Sequence, residues 1–275
     1  SGVQALARIP MAQVRRDQAA GLNTGGFISG YRGSPLGLLD KTLTLAQPYL
    51  DEHNIRFQPG VNEELAATMV WGSQQLHLSK EAQYDGIVGM WYGKDPGVDR
   101  CGDVFKHANA AGSAPYGGVL CVAGDDHGAK SSTVPHQSDH AFMSSTMPVL
   151  YPSSIHEYIW MGLAGLAMSR YSGCWVGFKV ISETVETTAA VNLQDEDVEF
   201  IIPKDFDMPQ DGLNLRWPDD RMVQDSRLQN HKAYAALAFA RANGFNRITL
   251  DSPKARFGIV ASGKSYEESR QAIHE

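Results

Sequence analysis

The chain has 275 residues, 43% of them hydrophobic and 20% charged, which is the balance of an ordinary folded protein able to build a core without disulfides. Its formal net charge of −7 argues against a nucleic-acid partner, because no basic stripe exists to neutralise phosphates. Cys101, Cys121 and Cys174 are isolated, odd in number and without a C-x-x-C pair, so they read as reduced thiols of a cytoplasmic protein and cannot ligate an iron–sulfur cluster.

The elements follow in order. Arg15 and Arg16 sit in a mixed, helix-like opening segment that is not a secretory signal. Short apolar runs at Gly26–Tyr31, Ile87–Tyr92, Gly117–Gly124, Pro148–Tyr151 and Cys174–Ile181 predict strands. Helix-period segments at Leu36–Leu50, Glu64–Leu78, Val104–Ala111 and Ile155–Tyr171 alternate with them. This alternation predicts an α/β domain with a mostly parallel sheet sandwiched between helices. Ser154 and Glu157 form a capping-box pattern ahead of the last of these helices. The longest apolar run, around Tyr158 to Met168, is too short to span a bilayer, so no membrane association is expected.

From Leu193 to Asp225 the periodicity dissolves into an acidic, proline-containing connector, Gln194-Asp195-Glu196-Asp197 with Pro203, Pro209 and Pro218. An Ala-rich helix is expected at Leu228–Asn243, ending with Gly244 at a C′ position. Phe257–Ala261 and Ser265–Ile273 then read as a strand and the start of a helix, as in a piece of a longer polypeptide. The expected division is therefore 1–192, a connector and helix at 193–255, and the start of a further domain at 256–275.

In open α/β sheets, ligands bind at the carboxyl ends of the strands. Four strand-end loops are rich in small and polar residues: Tyr31-Arg32-Gly33-Ser34-Pro35, Asn62-Glu63-Glu64, Gly93-Lys94-Asp95-Pro96 and Gly124-Asp125-Asp126-His127-Gly128. Ser34 is placed as an N-cap with Pro35 at N1, which is a capping role. Gly30 and Gly33 also bracket that turn, as close approach of a ligand would require. Glu63 and Glu64 fall in a first helical turn, where carboxylates favour the helix dipole. The small face of Ala66, Ala67, Gly72 and Ser73 allows another element to pack closely beside them. His136 and His140 with Asp125, Asp126, His127 and Asp139 suggest metal, but H-x-x-x-H without its glutamate lacks the zincin pattern. A polar network around a ligand or between domains fits better. G-x-S-x-G, G-x-G-x-x-G and Walker A motifs are absent.

Gly25-Gly26-Phe27-Ile28-Ser29-Gly30-Tyr31-Arg32-Gly33-Ser34-Pro35-Leu36-Gly37 resembles the opening of the large fused indolepyruvate ferredoxin oxidoreductases of proteobacteria. Asn62-Glu63-Glu64-Leu65-Ala66-Ala67, Gly124 to Ser132 and Ala238 to Gly244 are similar to further blocks of that family, in the same order. The resemblance covers nearly the whole chain. It implies the fold of a thiamine diphosphate-binding pyrimidine (Pyr) domain over 1–192 and the start of a transketolase-C-like domain from 256. The diphosphate-binding domain, with its Mg²⁺ loop, and the 4Fe–4S clusters are implied elsewhere in the complete enzyme, so the fragment alone would be inactive.

The resemblance further implies that Glu63 is the catalytic carboxyl group that hydrogen-bonds N1′ of the aminopyrimidine. Glu63 is favoured over Glu64 because the family places a small Gly nine residues later, where Gly72 stands. Tyr31, Gly33, Ser34, Asp126 and His127 are implied cofactor contacts, and Arg32 and Ser34 implied substrate contacts. Pyruvate-specific relatives carry an arginine near the end of the strand corresponding to Gly117–Gly124. Here Asp125 and Asp126 stand there, which suits a bulkier arylpyruvate and leaves Arg32, Lys106 and His107 as carboxylate partners to weigh against plain surface charge. Coenzyme A, a ferredoxin-type acceptor, a diphosphate-binding domain of the same or another subunit and a homo-oligomer are the implied partners. Other readings are a 2-oxoacid oxidoreductase of different range, a non-catalytic Pyr-like assembly module and a flavodoxin-like nucleotide binder.

Overall fold

The computed structural model describes residues 1–130 and 134–274. The chain opens with helix α1 (Gly2–Ala19) and strand β1 (Thr24–Gly30), followed by α2 (Gly37–Leu45), α3 (Gln47–Glu52) and β2 (Ile55–Phe57). Next come α4 (Glu63–Ser73), β3 (Gly86–Lys94), α5 (Asp95–Arg100), α6 (Gly102–Ala111) and β4 (Val119–Asp125). After them lie α7 (Ser138–Ser144), β5 (Val149–Leu150), α8 (Tyr158–Ser172), β6 (Val176–Ile181) and α9 (Ser182–Val185), and then α10 (Arg221–Arg227), α11 (Ala233–Ala242) and α12 (Lys264–His274). The six strands form one parallel sheet in the order β2-β1-β3-β4-β6-β5.

The sheet is buried on both faces, which is why its central strands read as continuous apolar runs. On one face Ile28, Val88, Met90, Leu120, Val122 and Phe178 pack against Leu6 and Ile9 of α1, Leu39 and Leu43 of α2, and Leu163 and Leu166 of α8. On the other, Trp91, Val119, Cys121 and Trp175 pack against Ala66, Ala67 and Val70 of α4, Phe105 and Ala108 of α6, and Phe142 of α7. Helices therefore sandwich the sheet, and the expected α/β architecture holds. A buried ion pair ties the first face together: Arg170 of α8 meets Asp17 of α1 through two 2.7 Å hydrogen bonds, and Asp17 also accepts from Thr24 Oγ1 and Gln13 Nε2.

Several sequence expectations change in detail. The three-residue edge strand β2 adds to the expected strands, and Leu36–Leu50 divides into α2 and α3 at Ala46. Ser34 does not cap α2; Leu36 stands at that position, and Ser34–Pro35 is a cis peptide in the preceding turn. Glu157 accepts from the backbone and hydroxyl of Ser153 rather than forming a box with Ser154, because residues 155–157 form a 3₁₀ turn before α8 begins. The helix expected at Leu228 starts earlier, at Arg221, where the Asp220 carboxylate accepts from the N–H groups of Met222 and Val223. Gly244, at φ +62°, closes α11 as expected. Phe257–Ala261 forms no strand: it is coil, exposed up to Val260, and among the described residues no strand lies beside it.

The acidic connector lies against the body of the domain. Glu196 is gripped by Arg8 and Arg15 of α1, and Leu213, Leu215 and Leu228 are buried. Lys232, on a π-turn between α10 and α11, is fully buried and donates to the carbonyls of Asn109 and Ala110 at the end of α6.

Candidate active site

The strand order has a consequence for ligand binding. β1 runs through α2 and α3, on one face, to β2 at the sheet edge. Its neighbour β3 runs through α5 and α6, on the other face, to β4. Connections that leave adjacent strands in opposite directions open a crevice at their carboxyl ends, where open α/β sheets take ligands.

The loop after β1 fills one side of this crevice. Tyr31 N–H donates to Tyr92 O at 3.1 Å, which ties the loop to β3. Gly33 lies against Lys94: a Cβ placed on it would sit 3.0 Å from Lys94 Cδ. Beyond the turn, Pro35 and Leu36 cover the end of β4, since a Cβ on Gly124 would meet Leu36 Cγ at 2.8 Å and Pro35 Cδ at 3.0 Å. The Tyr31–Leu36 loop thus reaches from β3 to β4. Arg32 is exposed there, and among the described residues it makes no ion pair. Tyr92 Oη donates to Asp40 of α2 and holds the helix that follows the loop.

Glu63 occupies the other side. Gly60 N–H donates to Gly30 O at 2.8 Å, which brings the start of α4 to the end of β1. Asn62 caps α4 by accepting from Leu65 N–H, and Trp91 Nε1 donates to Glu63 O at 3.1 Å. Consecutive helical residues point about 100° apart, so the two glutamates diverge. The Glu63 side chain is 14% exposed and lies on Gly97 of α5, whereas that of Glu64 is 44% exposed. Arg100 lies at 3.9 Å from Glu63 and 3.7 Å from Glu64, half-exposed and so weakly coupled to both. Burial, with the charges of Glu63 and Glu64, pushes the neighbouring Cys101 thiol far above its ordinary pKa.

The end of β4 carries a buried charge cluster. Asp125 is fully buried, accepts from Ser138 N–H at 3.1 Å and lies 3.2 Å from Lys179 Nζ of β6. Lys179 also donates to Asp139 at 2.5 Å and sits 4.8 Å from the centre of the Tyr151 ring. Burial alone would lower the Lys179 pKa, but hydrogen bonding to Asp139 and the charges of Asp125 and Asp139 reverse this and raise it. Burial raises the pKa of Asp125 and likewise of Asp95, whose Oδ2 faces Asp126 N–H at 3.4 Å. This cluster fastens α7 to the sheet end.

The structure therefore brings Tyr31, Arg32, Gly33, Ser34, Glu63, Asp126 and His127 to one rim. Asp126 is buried, with 1% exposure, while His127 is open to solvent and 3.9 Å from Asp125. Ser131 and Ser132 of the same block lie outside the described residues. His107 is not at the rim: it stacks on Trp71, two turns along α4 from Glu63. Lys106 is one residue away on α6 and exposed. His136 pairs with Asp99 at 3.4 Å, and among the described residues no group of three or more His, Cys, Asp or Glu is arranged to hold a metal ion. The sequence reading missed Lys179, Gly97 and Arg100. A lone lysine inside the apolar run Val176–Ile181 was the available signal, since a buried ammonium demands an acidic partner.

No family model matches the chain, and no curated protein matches it. In structure it is similar to the 2-oxoglutarate:ferredoxin oxidoreductase of Magnetococcus marinus, solved with 2-oxoglutarate, coenzyme A and succinyl-CoA bound. The TM-score is 0.65 at 13% identity, over 100% of this chain and 50% of that one. The chain thus spans half the length of that neighbour, and at this identity the likeness establishes the fold.

Proposed function

We propose that this chain is the pyrimidine-binding half of a thiamine diphosphate-dependent 2-oxoacid:ferredoxin oxidoreductase, with residues 1–192 as the pyrimidine domain. In this reading 193–255 are the connector and 256–275 the start of a further domain. One observation carries the reading: a sheltered carboxylate, Glu63, stands at the crevice between β1 and β3 on a helix start anchored from below by Trp91. The fold shared with a 2-oxoglutarate:ferredoxin oxidoreductase and the residue blocks around Ser34, Glu63 and Asp126 support it.

The residues fit an aminopyrimidine. The ring needs one carboxyl group beside N1′ in a water-poor setting, and the Glu63 side chain, 14% exposed, rests on Gly97. Thiamine diphosphate, when bound, supplies the electron sink that lets a 2-oxoacid lose CO₂. Glu63 holds the proton at N1′ and fixes the orientation of the ring. Ser34 offers its hydroxyl to the substrate carboxylate, and Tyr31, Gly33 and His127 shape the mouth. Arg32, exposed at the rim without an ion-pair partner among the described residues, is the cation best placed to meet that carboxylate; Lys106 and His107 lie too far along α6. In this reading Mg²⁺, 4Fe–4S clusters, coenzyme A and ferredoxin are bound by other domains or subunits of a cytoplasmic homo-oligomer.

We assign an arylpyruvate, indolepyruvate foremost, as the substrate. Asp125 and Asp126 stand at the end of β4, and the cation there, Lys179, is already paired with Asp125 and Asp139, which disfavours a small oxoacid held by a charge at that strand end. The test is viologen reduction by the full-length protein with thiamine diphosphate, Mg²⁺ and coenzyme A, comparing indole-3-pyruvate, pyruvate and 2-oxoglutarate. Preference for the aryl acid supports the assignment. Preference for either small acid sinks the substrate, and no turnover with any of the three sinks the enzymatic reading in favour of an assembly module.

A further inference from the structure

Glu63 is held in an unusual way for a sheltered carboxylate. Among the described residues its side chain accepts no hydrogen bond, and its single ionic neighbour is the half-exposed Arg100 at 3.9 Å. What fixes its place is contact with a glycine. A Cβ built on Gly97 would lie 2.6 Å from Glu63 Cγ, 3.1 Å from Cδ and 3.0 Å from Oε1. The Glu63 side chain therefore lies against Gly97, in space that the Cβ of any other residue would fill.

Gly97 has no backbone reason to be glycine. It sits inside α5 without a positive φ, where alanine is the better helix former. The next glycine of the same stretch acts in a comparable way. A Cβ on Gly93 would lie 2.6 Å from the Trp91 indole, the ring whose Nε1 donates to Glu63 O. One glycine leaves room for the ring that fixes the Glu63 backbone, and the other leaves room for the Glu63 side chain.

We propose that Gly97 is a positioning residue for Glu63, setting the carboxylate where the aminopyrimidine nitrogen meets it. This rests on the reading of Glu63 given above. The missing Cβ acts through Glu63 alone, because the α5 backbone accommodates alanine without strain.

The test uses the full-length protein in four forms: Gly97→Ala, Glu63→Gln, the double variant, and Gly102→Ala. The last is a control, since a Cβ on Gly102 meets nothing within 4 Å. Gly97→Ala is expected to melt at or above the wild-type temperature and to show the Glu63 carboxylate displaced in its crystal structure, with α5 unmoved. It is expected to lose about 100-fold in kcat with little change in KM for the oxoacid, as displacement of a reacting group by about 1 Å does. The double variant should lose no more than Glu63→Gln alone, and Gly102→Ala should match wild type. A Gly97→Ala crystal structure with Glu63 unmoved, or with α5 shifted in its place, overturns the proposal, as does full additivity in the double variant. If Glu63→Gln turns over normally, the functional reading of Glu63 fails. The displacement seen in the Gly97→Ala crystal structure then still decides whether Gly97 sets its position.

Discussion

The indole Nε1 of Trp91 donates to the backbone oxygen of Glu63 across 3.1 Å, from a side chain fully buried in the sheet to the first residue of the helix that carries the carboxylate. The same ring packs edge-on to Phe105 at 5.0 Å, so the anchor is part of the core. Trp91→Phe removes the donor and opens a cavity. A loss of about 1–3 kcal/mol is expected by denaturant titration, together with reduced turnover at saturating cofactor. Unchanged stability and turnover would show that Trp91 does not anchor α4.

Ser34 lies in the turn after β1 and caps no helix, so its hydroxyl has no structural task in α2. Ser34→Ala is therefore expected to leave the melting temperature within about 2 °C of wild type. It should raise KM for the 2-oxoacid or lower kcat by about 10-fold. Kinetics identical to wild type would remove Ser34 from the site.

Arg170 and Asp17 fasten α8 to α1, with Asp17 almost wholly buried and bonded to four donors. Breaking such a pair from one side leaves an uncompensated buried charge. Asp17→Ala is expected to cost about 3–5 kcal/mol in urea unfolding. A loss below about 1 kcal/mol would mean that Arg170 finds another partner or solvent.

Lys232 gives a pH-dependent prediction. Burial lowers its pKa from 10.5 to about 8 in the folded chain, so the folded state releases a proton that the unfolded state keeps. Stability contributed through Lys232 therefore rises with pH from about 8 and levels off near 10.5. The buried thiols act oppositely in this range, because burial raises their pKa and only the unfolded chain ionises. The difference between wild type and Lys232→Met isolates the lysine. That difference should grow in favour of wild type as pH rises through the window, and a constant difference would contradict the assignment.

The sheet was legible because its strands are continuous apolar runs separated by helix-period segments. Five of the six were located within two residues of their ends. The sixth, Ile55-Arg56-Phe57, is too short to show a period and pairs on one side only. The rim of the site was legible as well, since Gly, Ser, Asp and His gather at the strand ends Gly30, Lys94 and Asp125. What supports the rim was not. Asp125 meets Lys179 across 54 positions, and Glu63 meets Gly97 across 34, contacts that strand order creates and local pattern does not encode. Ser-Pro before an apolar segment is the usual signal for a helix start, yet here α2 begins three residues after Ser34, at Gly37.

The most direct measurement is viologen reduction by full-length wild type, Glu63→Gln and Glu64→Gln side by side, with thiamine diphosphate, Mg²⁺, coenzyme A and indole-3-pyruvate. Removing the carboxylate from the aminopyrimidine should abolish turnover in Glu63→Gln, while Glu64→Gln, altering the more exposed neighbour, should stay within about threefold of wild type. Turnover retained in Glu63→Gln, or lost in Glu64→Gln instead, would contradict the placement of the catalytic carboxylate.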